Sequence, residues 1–155
     1  MTNPSQPTVT QTMLFRVSPE RAFQAFVDPN ITTRFWFSHS DGPLEQGRTV
    51  TWEWRPYGCS CRVEVQTIEQ DKRIVIRWGD QDEWSIVEWI FESRPENATL
   101  VTVRNSDFTG AADPVGVAID SMGGFSLVLA NAKAFLEHGL ELNLIYDKSP
   151  DAIRS

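Results

Sequence analysis

From Gly47 onward, apolar and polar side chains alternate in five runs, at about 48–55, 58–69, 72–79, 84–94 and 98–108. A period of two is what a half-buried strand requires. The segments "RPYG", "EQDK", "GDQD" and "RPEN" separate the runs. Turns of hairpin length between consecutive strands predict an antiparallel meander. Parity then assigns the faces. Val50, Trp52 and Trp54 share one side, as do Cys59, Cys61, Val63 and Val65, then Ile74, Ile76 and Trp78, then Val87, Trp89 and Phe91, then Val101 and Val103. Glu53, Arg62, Glu64, Arg77, Glu88 and Arg104 take the opposite side. A sheet with one apolar face needs a cover.

Helical patterns supply it. "TVTQTMLFRV" (8–17) alternates loosely and predicts a first strand. "SPERAFQAFVD" follows, with Ser18 as N-cap, Pro19 at the first helical position, Glu20 in the first turn, and Ala22, Phe23, Phe26 and Val27 at helical spacing. Asp28-Pro29-Asn30 ends that helix, because proline disfavours helical geometry in the residue before it. "ITTRFWF" predicts a short second helix with Ile31, Phe35 and Trp36 on one side. A long helix is predicted from about Asp113 to Glu137, capped by Asp113, with Pro114 in its first turn and Gly139 at its end. Ile119, Met122, Phe125, Val128, Leu129, Ala132, Phe135 and Leu136 give it one broad apolar face. Gly123-Gly124 interrupts that face, at about 1 kcal/mol per glycine relative to alanine. The tail "YDKSPDAIRS" is expected to fray.

Composition narrows the partners. A chain of 155 residues, 41% hydrophobic and 23% charged, fits one soluble α+β domain with its core at about 8–140. No apolar run approaches the roughly 20 residues that cross a bilayer, and "MTNPSQPTVTQT" lacks the apolar centre of a secretory signal. A cytoplasmic location without membrane insertion is the expectation. The net charge of −7, with no basic cluster, argues against nucleic acid as a partner. Cys59 and Cys61 stand at i and i+2, which in a strand puts their Cα atoms about 6.5 to 7 Å apart, at or past the reach of a disulfide. His39 and His138 show no ligand spacing to them, so no metal site is predicted and buried free thiols are expected. No phosphate-cradling glycine loop, nucleophile elbow or other cofactor motif is present in the sequence.

The order strand, helix, short helix, meander, long helix resembles the START-like superfamily (birch-pollen-allergen-like, polyketide cyclase and lipid transport proteins). Within it, the chain is most similar to the branch named after the activator of the heat-shock-protein-90 ATPase. "VSPERAFQAFVDPNITTRFWF", "IVEWIFESRPENATLVTVRNSDF" and "MGGFSLVLANAKAFLEHG" carry the resemblance. It implies a helix-grip fold, a curved antiparallel sheet of about six strands around the final helix with a cavity between them. Members bind sterols, lipids, polyketides or plant hormones there, and some catalyse cyclisation or dehydration. The branch includes co-chaperone domains. The usual "GW" near the start of the last helix is here Gly124-Phe125, so the aromatic position is kept without its indole.

Candidate site residues follow from parity and that implied cavity. Trp52, Trp54, Trp78 and Trp89 read singly as core and together as a pocket wall, with Trp36 beside them. Cys61, Val63, Ile76 and Val103 share their face, and Met122, Phe125 and Leu129 face them from the helix. Asn105 follows Val101 and Val103 inward, where a buried amide needs partners; it either orients a ligand or ties down the strand end. Arg55 and His39 read as solvated, and Trp84, Ile86 and Ile90 form an apolar stripe on the polar face. Three functions fit: binding of a small hydrophobic ligand, a chaperone-associated protein-binding module, and a cyclase or dehydratase with Asn105 as its polar group. A small hydrophobic molecule is the expected partner, with room for a homodimer or a chaperone.

Overall fold

The structure, a computed structural model, describes residues 6–154. Seven strands, β1 (Val9–Phe15), β2 (His39–Ser40), β3 (Thr49–Trp54), β4 (Cys59–Glu69), β5 (Arg73–Gly79), β6 (Trp84–Arg94) and β7 (Ala98–Thr109), form one antiparallel sheet in the order β1-β7-β6-β5-β4-β3-β2. Four helices accompany them: α1 (Pro19–Val27), α2 (Pro29–Thr32), α3 (Pro114–His138) and α4 (Leu144–Asp147). The five-strand meander has the predicted boundaries to within one residue. β2 is the seventh strand, two residues long and paired with β3 through His39↔Glu53 and Ser40↔Trp52. Its brevity hides it from any periodicity.

Caps act as expected at α1 and α3. The Ser18 hydroxyl accepts the Arg21 N–H at 3.2 Å, Asp113 accepts the Gly116 N–H at 3.1 Å, and Gly139 closes α3 at φ 68°. The second helix is not where "ITTRFWF" predicts it. Asp28 ends α1 and also caps α2, accepting the Asn30 N–H at 2.9 Å, so Pro29 takes the first helical position and the turn is finished by Thr32. Thr32 is fully buried and donates to the Ala25 carbonyl at 2.6 Å, which locks α2 against α1. Phe35, Trp36 and Phe37 are thereby released from helical spacing, and all three are buried.

Helix α3 lies across the apolar face, with Phe125, Val128, Leu129, Ala132 and Leu136 buried. By length and composition it could cross a membrane, yet these side chains pack on the sheet. The expected stripe is too wide at its start. Ile119 is 66% exposed and Met122 45%, because they lie on the β1 side of α3, where the sheet ends and no further strand can cover them. The Met122 carbonyl accepts from Gln11 of β1 at 3.1 Å. A Lys133–Glu137 pair fastens the other end: Lys133 Nζ donates to Glu137 at 2.6 Å and to the Leu14 carbonyl at 2.7 Å, and Glu137 also accepts the Arg16 N–H at 2.8 Å. Burial opposes the charge on Glu137, but these donors hold its carboxyl below the usual carboxylate range.

Candidate functional site

Trp36 divides the space between sheet and helix. Its ring lies 4.9 Å from Trp52, 6.0 Å from Trp89 and 5.8 Å from Phe125, centre to centre. On one side the interior is filled: Phe37 stacks on Trp52 at 4.5 Å, and Phe26 meets Phe35 and Trp89. Asn131 of α3 donates to the Phe35 carbonyl at 2.7 Å and so pins the segment that carries Trp36.

On the other side a cavity of about 1050 Å³ opens toward the β3–β4 and β5–β6 turns. Trp36, Trp54, Cys61, Trp78, Asn105 and Phe125, all singled out from the sequence, line it. Trp52, Val63, Ile76, Trp89, Val103 and Leu129 do not; they are at most 1% exposed and belong to the filled side. Met122 points away from both, for the reason given above. Parity gives the face through the filled core, but toward the turns Arg62 and Trp84, assigned to the polar face, also line the cavity, and parity carries no information on how far along the strands the filling extends.

The polar part of the wall is a connected set. Asn105 is buried, and its Nδ2 donates to Ser85 Oγ at 2.9 Å and to the Ile86 carbonyl at 2.8 Å. Its Oδ1 accepts from Ser121 Oγ at 2.7 Å, and Trp78 Nε1 donates to Ser85 Oγ at 2.9 Å. Ser85 and Ser121 carry a sequence signal of their own: Ser85 shares parity with Val87 and Trp89, and Ser121 stands one turn before Phe125. A bulge helps place them. One residue of β6 faces two of β7 between the pairs Trp84↔Thr109 and Ile86↔Ser106, Asp107 has φ 56°, and Phe108 is returned to the buried side after Asn105.

The thiols correct an expectation. Cys59 is exposed and Cys61 half-buried, because β4 begins beyond the filled core and both side chains border the cavity. Burial pushes the Cys61 thiol up to about 11, so it is a neutral wall group at physiological pH. The tail is not frayed. Tyr57 donates to the Ile145 carbonyl and the Arg154 N–H donates to the Pro56 carbonyl at 2.7 Å, laying residues 144–154 beside the mouth. Lys148 and Arg154 join the lining this way, as do Asp80 and Asp120 from the β5–β6 turn and α3. A tail with no periodicity gives no sequence signal for a docking made of two backbone acceptors, a Tyr57–Tyr146 ring contact at 5.2 Å and the single apolar anchor Ile145.

Other expectations resolve simply. Arg55 is exposed and pairs with Glu53 at 3.3 Å, and His39 lies 3.7 Å from the same carboxylate. In the outer stripe, the Arg77 guanidinium covers the Trp84 ring at 3.9 Å, while Ile86 and Ile90 are half-buried.

Residues 16–137 match the family model described as "Activator of Hsp90 ATPase homolog 1-like protein". The chain belongs to this family. Among solved structures, it is similar to protein SSP2350 from Staphylococcus saprophyticus, at 29% identity and TM-score 0.76 over 88% of this chain and 96% of that one. The Aha1 protein from Colwellia psychrerythraea, solved as a dimer, aligns at 18% identity and TM-score 0.75 over 86% of this chain and 98% of that one. PFC0360w from Plasmodium falciparum, described as an HSP90 activator, aligns at 23% identity and TM-score 0.69 over 84% and 96%. No curated protein matches. The last two likenesses are likenesses of fold, and the helix-grip architecture expected from the sequence is the one observed.

Proposed function

We propose that this protein binds a small hydrophobic molecule, lipidic or aromatic, in the cavity between the sheet and α3. The observation that carries the reading is a space of about 1050 Å³ walled by Trp54, Trp78 and Phe125, beside an interior otherwise close-packed. Intrinsic tryptophan fluorescence, titrated with lipids, flavonoids and polyketide-like aromatics, tests it. A saturable quench or shift that Trp54→Ala and Trp78→Ala abolish is expected; no response to any of them, with both variants folded, overturns it. Asn105 is engaged on both sides of its amide by internal partners, which favours a binding wall over a catalytic group.

A second reading is a protein-binding module for an Hsp90-type ATPase. Family membership and the exposed apolar side chains of Val115, Ile119 and Met122 support it. It predicts that the protein stimulates such an ATPase and that Ile119→Asp removes the stimulation without touching fluorescence titrations. The same ridge would bury itself in a homodimer, which sedimentation of Ile119→Asp against the unmodified protein detects.

A further inference from the structure

We propose that the inner wall of the cavity selects neutral apolar molecules bearing an acceptor oxygen, such as a ketone, and that the Ser85 hydroxyl donates to it. The proposal rests on the cavity-binding reading above and specifies which ligands that cavity prefers.

Counting protons and lone pairs fixes the direction of each bond. Trp78 Nε1–H can only donate, and the Ile86 carbonyl can only accept. The carbonyl therefore sets the Asn105 amide, with nitrogen toward Ile86 and Ser85 and oxygen toward Ser121. Ser85 Oγ accepts twice, from Trp78 and from Asn105, each at 2.9 Å, and both of its lone pairs are used. Its own proton has no place on either partner, and among the described residues no acceptor receives it. Ser85 is 7% exposed and lines the cavity, so that proton is free to point where a ligand would lie. A donor left unmet once an apolar occupant has displaced solvent from the wall is unfavourable, which makes an acceptor oxygen the fitting occupant.

The surroundings decide the ligand's charge. Trp78 and Asn105 touch Ser85, Phe108 and Phe125 line the same cavity, and Asn105 and Ser121 are neutral. Of the cations in the lining, Lys148 and Arg154 are on the tail at the mouth and Arg62 of β4 is paired with Glu64 at 3.5 Å, while Asp80, Glu83 and Asp120 add negative charge, so a carboxylate at Ser85 would be buried without a free counter-charge. A ketone oxygen needs none.

Acetophenone and ethylbenzene are a matched pair of probes, differing at one position by a carbonyl in place of CH₂. Calorimetric affinities for both, in the unmodified protein and in Ser85→Ala, form a cycle in which the probes' different hydration cancels. The acetophenone-to-ethylbenzene affinity ratio is expected to fall roughly three- to tenfold in Ser85→Ala and to be restored in Ser85→Thr. Both probes binding with a ratio that Ser85→Ala leaves unchanged overturns the proposal and spares the cavity reading. Neither probe binding the unmodified protein overturns both. If Ser85→Ala does not fold, the Trp78 indole N–H resonance of the unmodified protein decides. Acetophenone should move it further downfield than ethylbenzene does at equal occupancy, because a serine that donates accepts more strongly. Equal shifts overturn the proposal.

Discussion

The two ends of the same apolar stripe differ in what covers them. At the filled end, α1 and the Phe35–Phe37 segment reach over the sheet, and α3 presents Leu129, Ala132 and Leu136. At the open end the cover beyond Trp36 thins to Phe125 and the tail beside the mouth, and α3 presents Val117, Ser121 and Gly124. A Cβ built on Gly124 would meet no atom within 4 Å. Core and cavity wall are thus one continuous face of the sheet, and the length of the amino-terminal cover decides where one becomes the other.

Truncating one ring at each end is the strongest challenge to this contrast. Trp89→Ala should cost about 3 to 5 kcal/mol in chemical denaturation, since Trp89 is fully buried among Phe26, Trp36 and Phe125. Trp54→Ala, on a half-buried ring, should cost well under half as much and remove ligand-induced fluorescence changes. Equal costs would mean that the two ends are equally packed.

A smaller effect comes from the fastening of α3 at the filled end. Glu137→Gln should lose about 1 to 2 kcal/mol near neutral pH, because a charge-assisted contact to Lys133 and the Arg16 N–H is weakened. The sign with pH follows from the lowered carboxyl. Its contribution is fully present above the ordinary glutamate value of about 4.3 and disappears as pH falls through the lower folded-state value. Denaturation curves of the two proteins should therefore converge in acid. A difference that persists there would assign the loss to packing.

The smallest change sharpens the contrast from the other side. Gly124→Ala should stabilise the protein by about 1 kcal/mol, the helix-interior difference between the two residues, since the added methyl enters open space. Thermal denaturation checks it, and a destabilised variant would show that the wall beside Gly124 is closed.

Much of this arrangement was legible in the chain. Period-two runs gave the strands and their inward face, and Ser18, Asp113 and Gly139 marked helix ends, because these signals are local. What was missed is set by distance. Whether Trp52 or Trp54 borders open space depends on how far the Phe35–Phe37 segment reaches, which no strand pattern encodes. Met122 has the spacing of a core residue, and only the position of β1 at the sheet edge exposes it. Asn105 was recognisable as an inward amide, whereas its partners Ser85 and Ser121 are 20 and 16 residues away and meet it only in the fold.

The sheet order also bears on time. Each hairpin of the meander joins neighbours in sequence, but β1 pairs with β7 from Val9↔Asn105 to Phe15↔Thr99, a separation of roughly 90 residues. The entropy of closing that loop is offset only once β7 and α3 are in place to receive β1. On this ground the amino-terminal strand is the last to join the sheet, and mutations in β1 such as Leu14→Ala should speed unfolding more than they slow folding.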